Sequence, residues 1–212
     1  DTVAGAIRRY ATADGAASPV DANRNFPSPT GDDHPDGHPW WPETEAMMAF
    51  AESQSFVLSA NLHSGAELVN YPWDTWQRRH PDDAWFRQLA RDWVDLAHAD
   101  GPVGYMRDRE NGITNGWDWY EIAGGRQDFM TFYHGGREVT VELIATDLLP
   151  AAELDELWQW NRRALLDFIE HAHHGIRGVV TDQTGSPVAA RITVLGLDRP
   201  EDGSTARTDP DV

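Results

Sequence analysis

The segment Glu138-Val139-Thr140-Val141-Glu142-Leu143-Ile144 alternates polar with apolar, often β-branched, side chains. Alternation with period two sends successive residues to opposite faces, so the stretch reads as a β-strand with one apolar face. The other face carries Glu138, Thr140 and Glu142. A carboxylate inside a strand is destabilising unless it is paired, ligated or chemically employed. Glu142 is therefore the first candidate functional residue. Three polar segments upstream are suited to meet it: Asp21-Ala22-Asn23-Arg24-Asn25-Phe26-Pro27, Asn61-Leu62-His63-Ser64-Gly65, and Trp119-Tyr120 leading into Gly124-Gly125.

The flanking pattern alternates strands and helices. Pro42-Glu43-Thr44-Glu45 opens a helix to about Ser53, because proline suits the first turn and acids suit the positive end of the dipole. Ser55 to Leu62 reads as a buried strand, and Glu67 to Tyr71 as a second one ended by Pro72. Asp82 and Asp83 can cap a long helix whose apolar positions Trp85, Phe86, Leu89, Trp93 and Leu96 follow helical spacing up to Gly101-Pro102. Residues 104–137 carry few regular signals, and 11–42 read as loop. A last helix over about 151–172 has Leu154, Leu157, Trp158, Leu165, Phe168 and Ile169 on its inner stripe. From Ile176 the composition shifts to strand, turn (Thr184-Gly185-Ser186-Pro187) and strand, the opening of an all-β module too short to stand alone.

Composition narrows the function. With 40% hydrophobic residues and ten tryptophans, 212 residues bury a globular core. A formal net charge of −18 repels nucleic-acid phosphates and anionic lipids. It is compatible with cationic substrates, a salty habitat or simple solubility. No apolar run approaches the roughly 18 residues that span a bilayer. Zero cysteines exclude disulfides and thiolate metal sites, while nine histidines and abundant acids leave a His/carboxylate site open.

Taken singly, each candidate has a bland alternative. His63, where a strand runs out into Ser64-Gly65, is either a metal ligand or a structural histidine. Asn23-Arg24-Asn25 can hold a carboxylate through a guanidinium fork and an amide, or form an ordinary surface loop. Tyr120, in a Gly-containing loop, can swing over a ligand and donate a hydrogen bond, or pack as a core aromatic.

Collinearity changes that balance. The order Val20–Pro27, Pro42–Ala46, Phe56–His63, Asn70–Asp74, Gly112–Gly116, Trp119-Tyr120, Gly124–Asp128 and Val139–Leu143 resembles the M14 zinc metallocarboxypeptidases, most closely their regulatory N/E-type subfamily. The segment from 176 is similar to the start of the transthyretin-like domain that follows the peptidase domain there. The resemblance implies an α/β fold over 1–175, a mixed central β-sheet flanked by helices, and an incomplete β-sandwich over 176–212. It implies one Zn²⁺ ion with His63 as a ligand and Glu142 as general base for metal-activated water. Asn23 and Arg24 correspond to the binders of the substrate's terminal carboxylate, and Tyr120 to the mobile tyrosine that caps the bound residue. Asp74, eleven residues after His63, falls where basic-specific members carry an acid at the bottom of the side-chain pocket, and Gln127 lines that pocket. For the oxyanion arginine that the resemblance implies, the candidate is Arg8 or Arg9, although Ala11–Ser18 departs from the subfamily's spacing.

The implied activity is removal of C-terminal Lys or Arg from peptides or proteins, in a secreted or periplasmic setting, with no nucleic-acid partner and no membrane span. The family's His-x-x-Glu zinc motif is absent: none of His34, His38, His80, His98, His134, His171, His173 and His174 has Glu three residues on. The chain is accordingly expected to be a truncated piece of a larger enzyme, poor in zinc affinity by itself. The alternative is a catalytically inactive module that binds peptide C-termini. A third reading, a glycan binder using Trp40, Trp41, Trp73, Trp76 and Trp117, rests on aromatic content alone.

Overall fold

A computed structural model describes residues 9–11, 17–19, 21–146, 149–176, 178–204 and 206–207. Strands β1 (Arg9–Ala11) and β2 (Ala17–Pro19) pair antiparallel ahead of a 3₁₀ turn at Ala22–Arg24. Helix α1 (Pro42–Glu52) precedes β3 (Leu58–His63) and β4 (Ala66–Tyr71). Helix α2 (Asp83–Asp100), the short α3 (Asp108–Asn111), β5 (Ile113–Asn115) and the one-turn α4 (Gly116–Trp119) follow. Helix α5 (Arg126–His134), β6 (Arg137–Ile144) and α6 (Leu154–His171) complete the body, and β7 (Arg191–Ile192) pairs with β8 (Ala206–Arg207) beyond it.

The main sheet has the order β3-β6-β4-β5, with β6 parallel to β3, antiparallel to β4, and β4 parallel to β5. Strand β6 thus occupies the interior of the sheet, paired on both sides, and its alternation sends the valines to one face and the acids to the other. Val139 and Val141 are fully buried on the face that packs, with Val69, against Phe86, Leu89, Trp93 and Val94 of α2 and Ala164 and Phe168 of α6. Burying a side chain of this size contributes about 1.5–3 kcal/mol. A second apolar cluster, Phe26, Ala51, Phe129 and Met130, joins α1 to α5. Glu138, Thr140 and Glu142 are all buried on the opposite side of β6 from the valines. A buried polar chain braces the first core: Trp93 Nε1 donates to Asn161 Oδ1, Asn161 Nδ2 to the Tyr105 hydroxyl, and that hydroxyl to the Leu143 carbonyl.

Several expectations change. The strand read as buried from Ser55 begins at Leu58 and lies at an edge of the described sheet, with Leu62 54% exposed. The stripe on α6 is broader than the surface that covers it, so Asn161, Ala164 and Phe168 are buried while Leu154, Trp158 and Ile169 are about half exposed. Asp82 occupies the position before α2 without capping it. Its carboxylate accepts from Arg137 Nε at 2.8 Å, an ion pair worth more than a helix N–H bond. The stretch 104–137 proves well built, and α5 starts directly after Gly125 with no side-chain cap.

Residues 178–204 keep the turn but not the strands. Asp182 gathers the Thr184 and Ser186 amides, yet the flanking pairing shrinks to a Thr181–Pro187 bridge and the two-residue ladder of β7 and β8. Val179 and Leu195 lie open, 80% and 93% exposed. Among the described residues this segment forms no sandwich. Two short strands offer no second layer against which to bury an apolar face. No described helix is long and apolar enough to cross a membrane.

Candidate active site

The parallel register of β3 with β6 sets His63 directly opposite Glu142 at the carboxyl ends of both strands. His63 Nδ1 lies 3.7 Å from Glu142 Oε1. Ligand sites of open α/β sheets form at such ends. Deeper along the same face, Glu138 takes a 2.8 Å ion pair from Arg126 Nε and a 2.6 Å hydrogen bond from Ser59 Oγ. That leaves Glu138 matched within the fold and Glu142 at the cavity.

The Asn23-Arg24 turn reaches the same place from a loop. Asp21 Oδ1 accepts the Asn23 amide and its other oxygen lies 3.6 Å from Arg24, which also donates to the Asn23 carbonyl. Asn23 Oδ1 accepts the Arg126 amide at the start of α5, so its NH₂ is the group it offers the cavity. Phe26 N–H donates to the Gly124 carbonyl. Gly124 has φ +75°, and a Cβ there would come within 2.2 Å of the Arg24 carbonyl oxygen, so a side chain at 124 would displace the arginine turn. The Arg24 guanidinium stands 5.9 Å from the Tyr120 ring centre, and Tyr120 itself is half exposed at the rim.

The floor is Asp74, completely buried. Its Oδ1 accepts Asn70 Nδ2 at 2.8 Å and Gln127 Nε2 at 3.2 Å. The α carbon of Gly116 presses on it so closely that a Cβ would lie 1.7 Å from Oδ1. Beneath it, Asp128 accepts the Asp74 amide at 3.1 Å with both oxygens and the Thr75 amide at 2.8 Å. Burial raises the Asp74 carboxyl well above the usual range, and the neighbouring Asp128 charge adds to that, against the Asn70 hydrogen bond. Burial also lifts Asp128 to about 6, opposed by its amide donors.

These residues enclose one cavity of about 220 Å³, bordered by Asn23, Arg24, His63, Asp74, Tyr120 and Glu142, with Gln127 behind Asp74. Apart from the oxyanion arginine, the seven site residues expected from the sequence therefore meet at or just behind it. A second hollow of about 320 Å³ adjoins it through Asn23 and His63. Of the two oxyanion candidates, Arg8 lies outside the described residues, and Arg9 is described only as backbone in β1. The sequence reading did not single out Asn70, Asp128 or Gly116 as site residues. Both polar ones stand in segments it did quote, beside Tyr71 and Gln127. Trp73, offered earlier for a glycan surface, is wholly buried.

A catalytic zinc ion takes three protein ligands and keeps one position open. Around this cavity His63 and Glu142 form a pair, and no group of three or more His, Cys, Asp or Glu suited to a metal occurs among the described residues. By themselves they do not fit a zinc centre. What they do form is a cavity with a guanidinium at one side, a buried acid at the floor, and an acid beside an imidazole at the mouth.

Residues 6–164 match the family model described as zinc carboxypeptidase. Carboxypeptidase Z of Rattus norvegicus is 37% identical across 85% of this chain and 33% of its own length. Carboxypeptidase D of Drosophila melanogaster is 37% identical across 87% of this chain and 14% of its own. The chain thus spans a third or less of these curated relatives. In fold it is similar to bovine thrombin-activatable fibrinolysis inhibitor, solved in complex with tick carboxypeptidase inhibitor. The TM-score is 0.62 at 19% identity, over 78% of this chain and 60% of that one.

Proposed function

The chain belongs to the zinc carboxypeptidase family, and from that premise we propose that the protein it forms part of is a zinc-dependent exopeptidase releasing C-terminal Lys or Arg from peptides or proteins. The observation that carries this is the meeting of Asn23, Arg24, His63, Asp74, Tyr120 and Glu142, drawn from five separate segments, around one cavity.

Each residue has a role that its surroundings support. Arg24 and the Asn23 NH₂ bind the terminal carboxylate, which only a chain end can offer, and so restrict cleavage to the last peptide bond. The side chain of that residue descends to Asp74, where Asn70 and Gln127 hold the acid in place. A Lys or Arg there balances a buried carboxyl whose hydrogen-bond donors among the described residues, Asn70 and Gln127, are neutral amides. Tyr120 covers the bound residue from the rim. Glu142 accepts a proton from the attacking water and returns it to the departing amine. His63 is assigned as one zinc ligand, the remainder coming from residues that the described chain does not supply. Arg8 or Arg9 stays the candidate for the oxyanion. Residues 176–212 are assigned to the opening of a transthyretin-like module, and the setting to a secreted or periplasmic one.

That the described residues hold no cluster of three metal ligands favours a second reading, an inactive module that binds peptide C-termini through Arg24 and Asp74. Hydrolysis of a dansylated peptide ending in Arg by the whole protein, stopped by a chelator, is the expected result. Retained binding of that peptide without hydrolysis in the presence of zinc would select the second reading.

A further inference from the structure

We propose that Asp128 is a positioning residue for side-chain selectivity: it fixes the main chain that carries Asp74 and adds the second negative charge that makes the floor select a cation. This rests on the proposal that Asp74 meets the substrate's basic side chain.

The geometry carries it. Asp128 lies in the first turn of α5, wholly buried, and is not part of the cavity wall. Its carboxylate takes the Asp74 amide with both oxygens and the Thr75 amide with one. The same short turn is tied from the other side by Ile122, whose amide donates to the Asp74 carbonyl and whose carbonyl accepts the Thr75 hydroxyl. Ile122 lies two residues after Tyr120, so floor and rim share one anchor. An amide in place of the Asp128 carboxylate would turn an NH₂ against one of these N–H donors and remove the charge. The start of a helix favours an ionised acid there, while burial opposes it and leaves the group titrating near 6. Two carboxylates this close resist ionising together unless a cation arrives. The Arg24 charge opposes the rise at Asp74, and the Glu138 charge adds to it.

The test uses the zinc-loaded whole protein and two peptides alike except for a terminal Arg or a terminal Met. In Asp128→Asn, KM for the Arg peptide should rise about tenfold or more while kcat and both constants for the Met peptide stay within about threefold. An unchanged Arg-to-Met ratio, or an equal loss for both peptides, overturns the proposal. If the wild-type protein prefers Met, the role of Asp74 itself fails and takes this inference with it. Should the variant not fold, the wild-type Asp74 and Thr75 amide resonances are followed through pH 4.5–7.5. Free arginine should move their titration midpoint downward and norleucine should not; a midpoint indifferent to arginine overturns the proposal.

Discussion

The two ends of the cavity are built to different degrees. At the floor, every group that holds Asp74 is present: Asn70 and Gln127 on its carboxylate, Asp128 on its amide, Ile122 on its carbonyl. At the mouth, Glu142 faces His63 along the edge strand β3, and the described residues bring no third ligand. The floor depends on hydrogen bonds among side chains and main-chain groups of one folded body, so it forms as that body folds. The mouth depends on a metal whose ligands must come from several segments at once. Specificity and chemistry should therefore respond separately to substitution.

The largest effect belongs to the mouth. Glu142→Gln in the zinc-loaded whole protein should lower kcat by roughly 10²–10⁴-fold with the affinity for an Arg-ended peptide nearly unchanged. Turnover that survives would remove Glu142 from its role. Residues 1–212 alone should bind zinc only in the micromolar range or more weakly, since one imidazole is a poor site. A nanomolar Kd by competition with a chelating dye would show that the mouth is more complete than its donor set implies.

Stability separates regions as well as ends. Phe168→Ala, in the core beneath β6, should cost about 3–5 kcal/mol in urea unfolding, whereas Leu195→Ala, on the open C-terminal segment, should stay within about 0.5 kcal/mol. Gly116→Ala forces Asp74 aside and should cost about 1–3 kcal/mol. It should also weaken any preference for Arg, leaving Glu142 chemistry on neutral peptides intact. Equal losses on both peptides would mean that floor and mouth are not separable.

The smallest effect is in pH. Asp128 is raised above its unfolded value near 3.8, so the folded state binds its proton more tightly. The stability it contributes is present in full below about 4 and lost as pH rises through about 6. His80, buried against Trp73 and Phe86, is depressed to about 3 by burial and by Arg137, and acts oppositely: its contribution is present above 6.5 and lost as pH falls towards 3. The wild-type protein should therefore gain stability relative to Asp128→Asn between pH 7 and pH 4.5, and lose it relative to His80→Phe over the same interval. Parallel curves would contradict both assignments.

What the sequence made legible follows the range of the forces involved. The alternation of β6, the stripe of α2 and the proline start of α1 are local patterns, and each gave its element. The edge position of β3 and the partial cover of α6 depend on what packs against them, which no local window contains. Helix α5 escaped because glycines bracket it and no side chain caps it. At the site, His63, Glu142, Arg24 and Asp74 stood out as polar groups in ordered collinear motifs. Asp128 closed one of those motifs without being marked as a site residue, because its bonds join a side chain to amides more than fifty residues away.

The most direct test pairs two substrates with one substitution. In the zinc-loaded whole protein, kcat/KM is measured for peptides ending in Arg and in Phe, before and after Asp74→Asn. The account predicts a preference for Arg that falls about a hundredfold on substitution while the Phe rate holds. Faster release of Phe by the unaltered protein, or a preference for Arg that outlives the change, would contradict it.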